Sequence, residues 1–123
     1  MIRIKRAYEP PSDQDGTRIL VDRLWPRGIT KDRIGIDHWD KSIAPSTGLR
    51  KWFGHDPEKW VDFQKRYRTE LLENSPQVLE RLAMEAREGC VTLVYGARDV
   101  HHNGALVLKS LLEELGGDRG TAR

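Results

Sequence analysis

Cysteine is almost absent from this sequence of 123 residues, and Cys90 is the single example. An intrachain disulfide framework and any metal site built from several thiolates are therefore excluded. The sequence also lacks a run of about 18 consecutive apolar residues, which a membrane-spanning helix needs, and Met1 is not followed by an apolar signal core. These absences predict a cytoplasmic protein without a membrane partner.

A strong excess of one charge is absent too, because the chain has 21 basic and 19 acidic side chains and therefore a formal net charge of +2. Such a balance is not typical of a protein that binds nucleic acid through charge alone. Within the basic residues, however, 14 arginines stand against 7 lysines, and the chain holds four tryptophans. Arginine is preferred where a planar group must bind a carboxylate or phosphate or stack on a ring. An ordinary arginine-rich composition would explain the same ratio without any function.

The length and the hydrophobic periodicity predict one domain over residues 1–117, followed by a disordered polar tail at 118–123. Alternating apolar and basic residues at 2–7 indicate a half-buried strand. The apolar runs at 17–22 and 90–95 are typical of buried strands. Helical crossovers between these strands predict a small layered α/β fold with a partly parallel central sheet flanked by helices.

Between these strands the sequence predicts an exposed loop, a short strand and several capped helices. The loop is expected at 9–16, where prolines and a glycine cluster, and the short strand around 39–43. Helices are predicted after the capping residues Ser46, Asp56 and Ser75, and over the Leu-rich segment 105–115.

Ligands of α/β folds bind beyond the carboxyl ends of the strands, and this rule selects two loops. The first loop carries a carboxylate and two guanidinium groups around an aromatic ring, namely Asp22, Arg23, Trp25 and Arg27. Such a set suits an anion or a stacked ring. Alternatively, Asp22 pairs with Arg23 or a neighbouring loop, and Trp25 closes one end of the core.

The second loop precedes the last helix, whose free backbone amides attract anions. It contains Tyr95, Arg98, Asp99, His101, His102 and Asn103. A histidine here could move protons beside an aspartate that orients it. Alternatively, Asp99 only caps the helix and one histidine is merely solvated.

A third candidate segment lies at a junction between two helices, where Arg50, Trp52 and His55 precede the capping residue Asp56. Trp52 has an alternative role as a core residue, whereas His55 has no structural role that the sequence suggests. His55, Asp56, Asp99 and His102 could together hold zinc or iron, but their spacing is not that of a known site, and no metal ligand is predicted. No phosphate loop, dinucleotide fingerprint or nucleophile elbow is present.

Several long motifs resemble the YeaO-like branch of the domain-of-unknown-function family 488. They are the runs 18–28, 44–46, 49–57, 63–67 and 91–103. As the family's name says, the resemblance implies no particular activity. Longer relatives have a Cys-His-Arg turn near His101-His102-Asn103, but the cysteine and the arginine are absent here, so thiol chemistry does not carry over. Some members are labelled transcriptional regulators, yet no helix-turn-helix pattern is present.

The leading hypothesis is a polar pocket that binds a small anionic ligand, with hydrolysis or group transfer on a phosphate or carboxylate substrate as its enzymatic form. His102 or His55 would move protons and Asp22 or Asp99 would orient the histidine. The ligand would be bound by Arg23, Trp25, Arg27, Arg50, Trp52, Tyr95, Arg98 and Asn103. The alternatives are a nucleotide or nucleic-acid binding module without catalysis, and a protein-interaction domain that presents an apolar stripe on the last helix. The sequence assigns no cofactor.

Overall fold

The computed structural model describes residues 1–116, and the predicted tail at 118–123 lies outside the described residues. Its centre is a four-stranded sheet in the order β1-β4-β2-β3, in which every neighbouring pair is parallel. The predicted α/β fold is confirmed, and the sheet is parallel in each of its pairs rather than in part. The strands are β1 (Ile2–Arg6), β2 (Thr17–Leu20), β3 (His38–Trp39) and β4 (Val91–Tyr95).

Within residues 1–116, five α-helices connect and cover the strands. The predicted cap at Ser46 is confirmed, because its hydroxyl accepts the Leu49 N–H at 3.1 Å, and the left-handed Gly54 ends that helix. The Asp56 carboxylate likewise accepts the Glu58 N–H at 3.0 Å. The helices are α1 (Lys31–Ile34), α2 (Thr47–Phe53), α3 (Trp60–Asn74), α4 (Pro76–Glu88) and α5 (Gly104–Glu114).

The main hydrophobic core lies between one face of the sheet and helices α2 to α5. Leu108, Leu111 and Leu112 of the last helix belong to it and are buried, whereas Leu106 is half-buried and Leu115, directly after the helix, is exposed. The apolar stripe that a protein-interaction domain would need is therefore not on the surface of α5. No helix among residues 1–116 is long and apolar enough to cross a membrane.

The other face of the sheet is covered in a different way, by the segment 9–16 and by Trp25, Ile29 and α1. The prediction that 9–16 is an exposed loop is wrong at Asp15, which is fully buried at the end of a 3₁₀ turn, Asp13–Asp15. Its carboxylate accepts hydrogen bonds from Lys5 at 3.0 Å and from Arg18 at 2.7 Å. A buried charge is tolerated only with such partners, which the local polarity of the segment does not indicate.

Two further predictions need correction. The expected strand around 39–43 is limited to His38–Trp39, which pair with Ile19 and Leu20 of β2. Lys41–Ile43 is a 3₁₀ turn instead, because the Ala44 N–H donates to the Lys41 carbonyl and not to a neighbouring strand. Ser75 precedes α4 but does not cap it, since its hydroxyl donates to the carbonyl of Ser42 at 3.4 Å.

Candidate functional site

The carboxyl ends of β1, β2 and β4 open into a cleft of about 700 Å³. The three segments that the sequence selected meet there, because parallel strands deliver their following loops to the same edge of the sheet. Ten of the twelve predicted site residues line this cleft, and their roles remain predictions. They are Asp22, Arg23, Trp25, Arg27, Arg50, His55, Tyr95, Arg98, His102 and Asn103.

The other two predicted residues, Trp52 and Asp99, lie outside the lining of the cleft. The Trp52 ring is half-buried between two cations, with Lys59 Nζ at 5.2 Å and Arg66 Cζ at 4.1 Å from its centre. These contacts account for the tryptophan without a ligand. Asp99 is connected to the cleft indirectly, because it hydrogen-bonds to His102, which lines the cleft.

Asp99 holds both the backbone and the ring of His102. Its Oδ1 accepts the His102 N–H at 3.1 Å, and its Oδ2 lies 2.8 Å from the ring atom Nδ1. Hydrogen bonds from the His101 N–H and from His102 lower the pKa of Asp99 below its usual value. The carboxylate thus favours a proton on Nδ1, which leaves Nε2 as the ring's acceptor. Trp60 fixes the ring from another side, edge-on at 5.3 Å.

Asn103, rather than Asp99, caps helix α5. Its side-chain oxygen accepts the Leu106 N–H at 3.1 Å, and its amide nitrogen donates to the Asp99 carbonyl at 3.0 Å. The alternative in which Asp99 is the cap is therefore wrong, because Asp99 bonds to the turn before the helix. Burial raises the pKa of the neighbouring Tyr95, and the Glu9 charge acts in the same direction.

Asp22 follows the end of β2 and is the single carboxylate among the residues of 1–116 that line the cleft. Its Oδ2 accepts the Gly96 N–H at 2.8 Å, and its backbone carbonyl accepts the Trp39 indole N–H at 2.7 Å. No salt bridge joins it to Arg23 or to another cation of residues 1–116, so the predicted alternative of an Arg23 pair is wrong. The other form of that alternative, a bond to a neighbouring loop, is confirmed, because Gly96 lies in the loop that follows β4. Burial raises the pKa of Asp22, and the Gly96 bond only partly opposes this.

Positive charge dominates the cleft, since five arginines line it. Arg6 is held by the Ala97 carbonyl at 2.9 Å, and Arg23 by the Pro45 carbonyl at 3.4 Å. The guanidinium groups of Arg27, Arg50 and Arg98 have no hydrogen-bond or ion-pair partner within the described part of the chain. These three side chains are exposed to solvent.

Trp25 and His55 both have local structural contacts in addition to lining the cleft. The Trp25 indole donates to the Ile29 carbonyl at 2.8 Å and packs edge-on against Trp39 at 5.3 Å. His55 is exposed and has a φ of 58°, a left-handed conformation that is uncommon for a residue with a side chain. It follows Gly54, so the chain reverses there between α2 and α3.

Sequence reasoning missed several residues of the cleft. Arg6 and Tyr8 follow the carboxyl end of β1, and a parallel assignment of that strand would have selected them by the same strand-end rule. Phe53 and Phe63 provide an aromatic wall, with ring centres 4.3 Å apart. Their helical spacing marked them only as core residues.

The candidate metal-ligating side chains do not form a cluster within residues 1–116. No group of three or more His, Cys, Asp or Glu residues within 1–116 is placed to hold a metal ion. His55, Asp56, Asp99 and His102 therefore do not form a metal centre as they stand.

Comparison with known proteins places the chain in a family. It is 46% identical over 114 residues to the uncharacterized protein YeaO of Escherichia coli, which covers 93% of this chain and 98% of YeaO. It is 42% identical over 113 residues to the uncharacterized proteins Mb3100c of Mycobacterium bovis and Rv3073c of Mycobacterium tuberculosis, covering 90% of this chain and 92% of each relative. No solved structure matches significantly. The model of the family described as the inactive DUF488-N3 subclade matches residues 1–120, and the chain belongs to this family.

Proposed function

We propose that the protein binds a small anionic ligand, with a phosphate or carboxylate group, in the cleft at the carboxyl ends of β1, β2 and β4. One observation carries the proposal: five arginines and one aspartate line the cleft. A planar guanidinium offers two parallel N–H donors to a carboxylate or phosphate. Because Arg27, Arg50 and Arg98 lack internal partners, a ligand would not have to displace an existing ion pair.

The size and the walls of the cleft support a ligand larger than a bare inorganic ion. A volume of about 700 Å³ lies within the range of small-molecule sites. Phe53, Phe63 and Trp25 add apolar surface beside the charged groups. Such a mixture of charged and aromatic lining residues accommodates a molecule whose anionic group is attached to an organic body.

Hydrolysis or group transfer is a second candidate, and the Asp99–His102 pair is the observation that favours it. A histidine held through Nδ1 by a carboxylate presents Nε2 as a proton acceptor, as general-base histidines do. The family description calls the subclade inactive, which favours binding without turnover. A cytoplasmic location remains part of the proposal, because a single cysteine cannot form the intrachain disulfides that are common in oxidising compartments.

Calorimetric titration with phenyl phosphate and benzoate tests the proposal. We expect saturable binding of at least one probe, weakened about tenfold or more in Arg50→Gln and Arg98→Gln, because a charge-assisted hydrogen bond contributes about 1.5–3 kcal/mol. Arg87→Gln, on the exposed end of α4 and outside the cleft, is the matched control and should bind like wild type. Equal affinity in all four proteins, or no binding of either probe, would count against the proposal.

The same variants separate binding from catalysis and from nucleic-acid binding. Release of phenol from phenyl phosphate that disappears in His102→Gln would support hydrolysis, whereas binding without release would support a binding role. Binding of RNA or DNA that weakens steeply with salt would favour the nucleic-acid alternative, because each phosphate contact releases counterions.

A further inference from the structure

Among the described residues that line the cleft, Asp22 is the one acidic group beside five arginines, yet it forms an ion pair with none of them. Its Oδ2 is occupied by the Gly96 N–H at 2.8 Å, whereas its Oδ1 has no hydrogen-bond partner in residues 1–116. Oδ1 is also not fully buried. In residues 1–116, Glu85 Oε2 is the one side-chain nitrogen or oxygen that is fully buried and has no hydrogen-bond partner. Because Asp22 Oδ1 lacks a partner as well, it must be partly accessible to solvent. One acceptor therefore remains open where the side chain meets the cleft.

The position of this acceptor is held tightly by its surroundings. The Trp39 indole fixes the Asp22 backbone, and the Gly96 backbone packs so closely that a Cβ there would lie 3.3 Å from Asp22 Oδ2 and 3.5 Å from Pro26. A carboxylate held in this way can be aimed at a ligand at little cost in side-chain entropy. It has the properties of a polar anchor rather than of a solvated surface group.

The charges around Asp22 determine which kind of hydrogen-bond donor can approach it. An ammonium group would approach through a cleft lined by five arginines and would be repelled by them. A hydroxyl group carries no charge and meets no such repulsion.

The same excess of cations favours the more highly charged anion. A phosphate monoester carries close to two negative charges at neutral pH and three acceptor oxygens, whereas a simple carboxylate carries one charge. We propose that the ligand is a phosphate monoester with hydroxyl groups on its body, of the sugar phosphate or nucleoside monophosphate class, and that Asp22 Oδ1 accepts a hydrogen bond from one hydroxyl. This inference rests on the proposed anion site and specifies its ligand.

A matched pair of probes tests the inference, namely ribose 5-phosphate and n-pentyl phosphate. Both have five carbons and a phosphate monoester, but only the first has hydroxyl donors. We expect wild type to bind ribose 5-phosphate about tenfold more tightly or better, the effect of one hydrogen bond to a charged group. In Asp22→Asn this preference should shrink to about twofold or less, because the acceptor loses its charge.

Asp62→Asn, on the exposed first turn of α3, is the control and should retain the full preference. Equal binding of both probes by wild type, or tighter binding of pentyl phosphate, would overturn the hydroxyl inference while the anion site stands. Binding of neither probe would overturn the inference as well, and the phenyl phosphate and benzoate titrations then decide separately whether the anion site exists. The comparison in wild type needs no variant, so it holds even if Asp22→Asn folds poorly.

Discussion

Two aspartates lie at the two ends of β2 and have contrasting environments. Asp15, before the strand, is fully buried and paired with Lys5 and Arg18. Asp22, after the strand, is half-buried, has a backbone N–H as partner and has no ion pair in residues 1–116, although five arginines line its cleft. In the first environment opposite charges pair inside the fold, whereas in the second the aspartate and the arginines of the cleft form no ion pair within residues 1–116.

The pKa values of the two carboxyls shift in opposite directions for physical reasons. Burial tends to raise the pKa of Asp15, but hydrogen bonds from Lys5, the Ser12 N–H and Arg18 outweigh it and the pKa lies below its ordinary value. Around Asp22 burial prevails and the pKa is raised. A lowered carboxyl pKa stabilises the folded state at neutral pH, and a raised one destabilises it.

The largest predicted effect is on stability in Asp15→Asn. We expect its free energy of unfolding to fall by about 3 kcal/mol, because Arg18 and Lys5 lose a buried counter-charge. Asp22→Asn should leave stability unchanged or slightly higher at neutral pH, since it removes a charge that the fold disfavours. Urea denaturation at pH 7 measures both, and equal losses in the two variants would show that the aspartates are equivalent.

The pH dependence of stability is the next test of this comparison. Asp15 should stabilise wild type at pH values above its unfolded pKa of about 3.9, and this contribution should be lost as pH falls through its lower folded pKa. Asp15→Asn should therefore lose less stability on acidification, with Asp99 contributing to the dependence that remains. Thermal midpoints from pH 7 to pH 2 measure this, and parallel curves would contradict the role of Asp15.

A smaller loss is expected at Asn103, a cleft residue with a structural role. Asn103→Ala removes the cap of α5 and the bond to the Asp99 carbonyl, and should lower the free energy of unfolding by about 1 kcal/mol. Asn103→Ser retains a capping oxygen and is the matched control. A loss of equal size in both variants would indicate that the cap is not the cause.

The smallest effect on stability is predicted for the unpaired arginines. Arg50→Gln and Arg98→Gln should each change the free energy of unfolding by less than about 0.5 kcal/mol, because these side chains are exposed and have no partner in residues 1–116. Together with the expected loss of ligand binding, this would separate binding from stability. A loss near that of Asp15→Asn would mean that the cleft arginines are structural.

Much of the fold follows from local signals. The alternation at residues 2–7 and the apolar run at 90–95 predicted β1 and β4 nearly to the residue, and Ser46 and Gly54 predicted both ends of α2. The four-residue helix α1 was missed because it is too short to show periodicity, although Thr30 accepts the Arg33 N–H as a cap. The contacts of Trp52 with Lys59 and Arg66 were not predicted, because both cations come from the segment beyond the end of α2 at Gly54. The role of Trp52 in ligand binding stays a prediction.

The sequence by itself determined the α/β class, the main helices and the loops that carry Asp22, Arg98 and His102, because periodicity, caps and breakers act over a few residues. Only the tertiary structure decided that these loops share one cleft and that Arg6 joins them, since this depends on parallel pairing of β1 with β4, strands about ninety residues apart. The tertiary structure also decided that Asp15 is buried and ion-paired, whereas Asp22 is half-buried and has no ion pair in residues 1–116. Burial and ion pairing depend on distant neighbours, and a local pattern does not contain them.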